Sequence, residues 1–301
     1  MNLSGSMTAL ITPFKNGKVD AAALRRQIED QIKGGTSALI PCGTTGESPT
    51  LSHAEHRNVI AITVEAAAGR VPVIAGTGSN STDEAIELTR YAKKAGAKAS
   101  LSVVPYYNKP TQKGMYEHFK AIAKSAGLPI VLYNIPGRCG AGLTASTIVE
   151  LSKIDLIVAV KEATGSMDMA SEIIGRTKLS VLSGDDSLTL PILALGGKGV
   201  ISVFSNLFPG HLSAMVRAFF DGDLDEARKL HHAMMPLCKT LFIETNPIPV
   251  KTAMRMMKRD TGILRMPLTP MSPENESQLK QQLEAFKAYL APRATRKGGR
   301  S

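Results

Sequence analysis

At 301 residues, with 43% hydrophobic and 21% charged side chains, the chain carries enough apolar material for one large core. No apolar run approaches the roughly 20 residues that span a bilayer, and MNLSGSMTALITPF lacks the basic region and long apolar stretch of a signal peptide. The net charge is +10, yet Arg293, Arg296, Lys297 and Arg300 crowd the C-terminus, and without these four the balance falls to +6; with no basic stripe interleaved with aromatics, this argues against a nucleic-acid surface.

Eight short apolar runs, rich in β-branched residues, predict buried strands: TALIT (8–12), SALIP (37–41), VPVIAG (71–76), SLSVV (100–104), PIVLYN (129–134), LIVAVK (156–161), LSVLSG (179–184) and GVISV (199–203). Helix-like segments separate them. Ser52 with Glu55 predicts a capping box opening a helix to Ala68, and Ser81 with Glu84 another ending near Gly96. Strand–helix alternation repeated eight times predicts a parallel α/β fold, and its economy of residues favours a closed (β/α)8 TIM barrel over an open sheet. GTGSN (76–80) lacks the full spacing of a dinucleotide fingerprint. After Val203 the pattern changes to helical stretches near 210–243, 247–258 and 273–290. The expected organisation is a catalytic barrel over 1–209, a C-terminal helical appendage over 210–292 packed on it, and a basic, solvated tail over 293–301.

In such barrels the loops after the strands build the active face. Here they are chemically rich: CGTTGES (42–48), GTGSN (76–80), PYYNKPT (105–111), YNIPGRCG (133–140), KEATG (161–165), SGDD (183–186) and SVFSN (202–206). Strict alternation along the sixth strand puts Ile157, Ala159 and Lys161 on one face, and Val158 and Val160 on the other. If the valines face the helices, Lys161 enters the barrel. Desolvation there favours a neutral amine, which attacks carbonyls to form Schiff bases. The alternatives at this point are a lysine snorkelling at the strand end, or one ion-paired to Glu162. Tyr133, ending the neighbouring strand, is a candidate general acid and base, or else a core tyrosine.

Thr44 and Thr45 stand in a glycine-flanked turn that suits a carboxylate, or that needs them only as turn residues. Arg138 offers a fork for bidentate carboxylate recognition, or is a solvated loop arginine. Asp185 and Asp186 suggest a metal site or a carboxylate pair, but read better as caps of the following helix. His53 and His56 lack the further ligands that zinc needs. Cys42, Cys139 and Cys238 are few, odd in number and far apart, which fits a reducing cytoplasm rather than a disulfide framework.

Taken together, GTTGES (43–48), PYYNKP (105–110), YNIPGR (133–138), KEATG (161–165), SGDD (183–186) and NPIPVK (246–251) resemble the dihydrodipicolinate synthase family over roughly residues 3–290. That family lies among the pyruvate-dependent class I aldolases, which include N-acetylneuraminate lyase. The resemblance implies a lyase of diaminopimelate and lysine biosynthesis, in which Lys161 forms an imine with pyruvate and no metal or organic cofactor is required. It implies that Tyr133 relays protons with Thr44 and with the Tyr107 of a neighbouring copy, and that Thr45 binds the pyruvate carboxylate. Arg138 would hold the carboxylate of L-aspartate-4-semialdehyde, and backbone groups at Gly184 and Ile201 would line the site. It further implies a homotetramer, a dimer of dimers, with a feedback pocket for L-lysine at the dimer interface. Ser48, His53, His56, Asn80, Glu84 and Tyr106 match that pocket. Pro49 departs from the small residue expected there, and Cys139 from the threonine that commonly follows the arginine.

Two rival readings differ in class. A sister aldolase, such as N-acetylneuraminate lyase or a keto-deoxy sugar acid aldolase, would share the lysine, the tyrosine and the GTTGE-like loop. Arg138 separates them, because a short semialdehyde needs a carboxylate clamp and a polyhydroxy chain needs hydroxyl partners. A catalytically inactive barrel used for binding or sensing would have no need of Lys161, Tyr133 and Thr44 together.

Overall fold

A computed structural model describes residues 3–291; the basic tail, 293–301, lies outside the described residues. Eight strands alternate with helices: β1 Gly5–Ala9, β2 Ala38–Ile40, β3 Ile74–Gly76, β4 Ala99–Val103, β5 Ile130–Asn134, β6 Ile157–Glu162, β7 Ser180–Ser183 and β8 Gly199–Ser202. Every neighbouring pair is parallel, in the order β2-β1-β8-β7-β6-β5-β4-β3. A parallel bridge from Leu39 to Val73 closes the ring. This is the predicted (β/α)8 barrel.

Strand β1 begins earlier than TALIT suggests and ends at Ala9. The Ile11 N–H is taken by the Asn206 side chain at 3.1 Å, and Pro13 has no N–H to give a ladder. The chain then makes a small hairpin, Phe14–Lys15 with Lys18–Val19. Its turn residues, Asn16 (φ 50°) and Gly17 (φ 74°), are both left-handed, as a tight two-residue turn requires.

Aliphatic side chains, most of them small or branched, fill the barrel interior, among them Met7, Ala38, Ile40, Ala99, Val131, Ala159, Leu182 and Ile201. The outer strand faces pack against the helices. On β6 the simple alternation fails at one point. A register shift opposite Ile130/Val131 skips Val158, so Ile157 joins Val160 on the helix side and Val158 turns toward the interior. Beyond the bulge alternation resumes, and Ala159 and Lys161 face inward.

The capping box at Ser52 and Glu55 is present and opens the helix His53–Ala67. Ser81 caps the helix Thr82–Ala95, which ends at a left-handed Gly96. Its Glu84 side chain turns elsewhere, to Ser79 and His53, so no reciprocal box forms. The stretch predicted as one helix over 210–243 is two, Pro209–Phe220 and Leu224–Thr240. Gly222 (φ 84°) turns the chain and Asp223 caps the second helix by accepting from the Glu226 N–H at 3.0 Å.

Helices Ile248–Met256 and Pro273–Leu290 complete the appendage. Phe286 docks the last helix on the barrel through edge contacts to Phe204 (5.3 Å) and Phe208 (4.7 Å). Such pairs each add about 0.5–1.5 kcal/mol beyond area burial. Among the described residues no helix is long and apolar enough to cross a membrane.

Candidate active site

Parallel pairing puts Tyr133 of β5 directly opposite Lys161 of β6. Both side chains are 5% exposed at the C-terminal mouth of the barrel. The Lys161 Nζ lies 4.2 Å from the centre of the Tyr133 ring. Lys161 therefore does not snorkel to solvent, and among the described residues no ion pair joins it to Glu162. Glu162 points the other way. It accepts from the Thr164 N–H at 2.6 Å and from Asn134 Nδ2 at 3.3 Å.

The carboxyl near Lys161 is that of Asp185, whose pKa burial pushes up, with the lysine's charge opposing. Sequence reading took Asp185 and Asp186 for caps of their own helix. Neither side chain does this. Asp186 reaches across to the end of β8, accepting from the N–H groups of Val203 (3.1 Å) and Phe204 (2.9 Å) and from the Ser202 hydroxyl. Gly184 precedes them, with its N–H on the Glu162 carbonyl at 2.7 Å. A Cβ there would sit 2.5 Å from that of Ala163, so only glycine lets the β6 and β7 loops approach this closely. Ile201 lies inside the barrel on β8.

The GTTGES loop closes as a tight turn, with the Gly46 N–H on the Gly43 carbonyl and the Glu47 N–H on the Thr44 carbonyl, both at 3.1 Å. Thr45 is buried, and its hydroxyl accepts from Asn246 Nδ2 at 3.1 Å. The Asn246 carbonyl in turn accepts from Arg138 Nη2 at 3.1 Å. One appendage residue thus links both proposed carboxylate contacts. NPIPVK was legible as a motif, but nothing in it announced that Asn246 would reach these loops.

A cleft of about 460 Å³ is lined by Thr44, Arg138 and Cys139. Ser48, Pro49, His53, His56, Glu84 and Tyr106 line the same cleft. His53 Nε2 stands 3.4 Å from Glu84. His56 is buried with its Nε2 against the Gly76 carbonyl at 2.8 Å, and burial pushes its pKa down. Asn80 donates to the Tyr106 carbonyl at 3.1 Å. Tyr107 departs from all of these: its backbone is left-handed (φ 72°) and the residue is 87% exposed.

The model of the dihydrodipicolinate synthetase family matches residues 2–286. The chain belongs to this family. A 4-hydroxy-tetrahydrodipicolinate synthase of Syntrophobacter fumaroxidans is 54% identical over 285 residues, covering 94% of this chain and 98% of that protein. The crystal structure of the chloride-inhibited dihydrodipicolinate synthase of Acinetobacter baumannii complexed with pyruvate is 44% identical, with a TM-score of 0.92, covering 95% of this chain and 99% of that one. The dihydrodipicolinate synthase of Cyanidioschyzon merolae with lysine bound is 43% identical, with a TM-score of 0.92, covering 94% and 98%.

In this member of the dihydrodipicolinate synthetase family, the barrel mouth gathers Lys161, Tyr133, Gly184 and Ile201 from adjoining strands and loops. Arg138 and Thr45 meet through Asn246. Tyr107 is the residue that its own chain leaves outside. Sequence reasoning gave Asp185 no place beside Lys161 and gave no role to Asn246, Glu47 or Lys251; the only signal for the last three was their place in quoted motifs.

Proposed function

We propose that this chain condenses pyruvate with L-aspartate-4-semialdehyde to 4-hydroxy-tetrahydrodipicolinate, in the cytoplasm, through an imine on Lys161. The observation that carries the reading is the register pairing of Lys161 with Tyr133 inside the barrel mouth. An amine held there, beside a phenol, stands where a nucleophile toward a carbonyl is needed. Nζ attacks the pyruvate ketone, water leaves and the imine forms. The imine is the electron sink through which the methyl group loses a proton, giving an enamine. The enamine carbon attacks the aldehyde of the second substrate. The amino group of that substrate then attacks the imine carbon, the ring closes and Lys161 is released. Tyr133, with Thr44, moves the protons. Thr45 with its turn binds the pyruvate carboxylate, and Arg138 binds that of the semialdehyde.

The direct test is pyruvate consumption by the purified protein with L-aspartate-4-semialdehyde as acceptor, beside N-acetylmannosamine. Turnover with the semialdehyde alone is expected. Turnover with the sugar alone would move the chain to the sister aldolases. Replacing Arg138 with leucine is expected to leave pyruvate trapping intact while raising the KM for the semialdehyde about 10- to 100-fold, the loss of charge-assisted hydrogen bonds. An unchanged KM would remove Arg138 from recognition.

The outward Tyr107 supports a shared site, in which a second copy covers that ring and the assembly is a dimer of dimers. Sedimentation at assay concentration is expected to give an oligomer, and dilution to monomer is expected to lower activity. A fully active monomer would end the shared-site reading. Free L-lysine is the proposed inhibitor, bound in the cleft that Glu84 and the histidines line. Titration with lysine is expected to inhibit, and a flat rate into the high millimolar range would exclude the pocket.

A further inference from the structure

Lys251 is fully buried, and so is its partner Glu47, with Nζ 2.6 Å from Oε1. The same ammonium donates to the Thr12 carbonyl at 2.9 Å and stands 4.2 Å over the Phe14 ring. Burial pushes the Lys251 pKa down and the Glu47 carboxylate opposes this. The other Glu47 oxygen accepts from the Arg265 N–H at 3.0 Å. Two segments of the appendage therefore hold one carboxylate of the GTTGES loop. Glu47 itself is a non-glycine residue in left-handed backbone (φ 53°), a conformation that needs support from its surroundings.

Stability alone is a poor reason for such a pair. Desolvating two charges offsets most of their attraction, and an apolar pair of similar volume is often as stable or more so. The geometry offers another reason. Thr12 accepts from Lys251 through its carbonyl and donates its hydroxyl to the Gly46 carbonyl at 2.6 Å. Asn246, just before the same helix, donates to the Thr45 hydroxyl and accepts from Arg138. Residues 45, 46 and 47 are each tied, directly or through Thr12, to the segment 246–251.

We propose that Lys251 is a positioning residue for pyruvate: through Glu47 it fixes the turn whose Thr45 hydroxyl and N–H groups meet the substrate carboxylate, so the helical appendage sets the affinity of the barrel site. This rests on the reading of Lys161 and Thr45 as the pyruvate site.

The experiment uses the full chain in three forms, wild type, Lys251→Met and Lys251→Met/Glu47→Leu, with melting temperature, steady-state kinetics and borohydride trapping of the pyruvate imine. The single variant leaves Glu47 buried without its cation and is expected to melt lower, whereas the double variant is expected to recover the wild-type melting temperature. In both, the pyruvate concentration for half-maximal trapping is expected to rise about tenfold, while the semialdehyde KM stays within about twofold, as a displaced carboxylate contact predicts. A double variant that recovers both melting temperature and pyruvate affinity would overturn the proposal, since the pair then only fills the core. Should neither variant fold, Glu47→Gln decides: its shape is kept, and an unchanged pyruvate KM overturns the proposal. Wild-type protein that traps no pyruvate on Lys161 would end the reading of the site, and this inference with it, whatever the variants do.

Discussion

Replacing Lys161 with alanine is expected to lower turnover by on the order of 10⁴- to 10⁶-fold, the scale of removing a covalent nucleophile. The same change should abolish the pyruvate adduct that borohydride fixes on the wild-type peptide carrying residue 161. The fold should survive, because the lysine forms no ion pair among the described residues and the barrel below it is packed by Ala159, Val131 and Leu182. Circular dichroism and melting temperature check this. The protein also carries an internal control. Lys251 is even more deeply buried, yet Glu47 and the Thr12 carbonyl hold its ammonium. An adduct on Lys251, or turnover retained without Lys161, would sink the imine assignment.

Tyr133→Phe carries the next largest effect. It removes one oxygen and keeps the ring that packs beside Nζ. General acid–base catalysis by a positioned group is worth about 10²- to 10⁴-fold, and kcat is expected to fall within that range. Imine trapping should slow but still reach completion, because Lys161 and the carboxylate contacts remain. That split separates a proton relay from a packing role. A kcat within about threefold of wild type would leave Tyr133 as a core tyrosine and pass the proton transfers to another group.

Much of this site was legible before the fold was known. Lys161 stood out because an ammonium ends an apolar strand, and Tyr133 because a phenol ends its neighbour. Their pairing follows from the order of strands in a parallel barrel, where consecutive strands lie side by side. The face on which Lys161 lies was also legible, but for a partly wrong reason. Alternation was expected to include Ile157 and fails there, because a bulge at Val158 flips the beginning of β6. Bulges depend on the pairing partner and leave little local mark.

The break at Asp221–Gly222–Asp223 was present in the sequence as a turn signal and a cap. It was overridden by helical patterning on both sides. The role of Asp186 was not legible, because a cap position in its own chain segment looks the same whether the carboxylate serves that helix or the neighbouring strand end.

The sequence by itself determined the alternating elements, the chemically rich strand ends and the place of Lys161 at the end of an apolar strand, since these rest on short-range periodicity and on the chemical oddity of single residues. Only the tertiary structure decided that a helix outside the barrel grips the GTTGES loop. Lys251 and Glu47 are 204 residues apart, and Asn246 and Thr45 are 201 apart. No local preference encodes such contacts. They exist because closing the barrel and docking the appendage bury these polar groups together, and a buried polar group must find its partner wherever the fold has brought one.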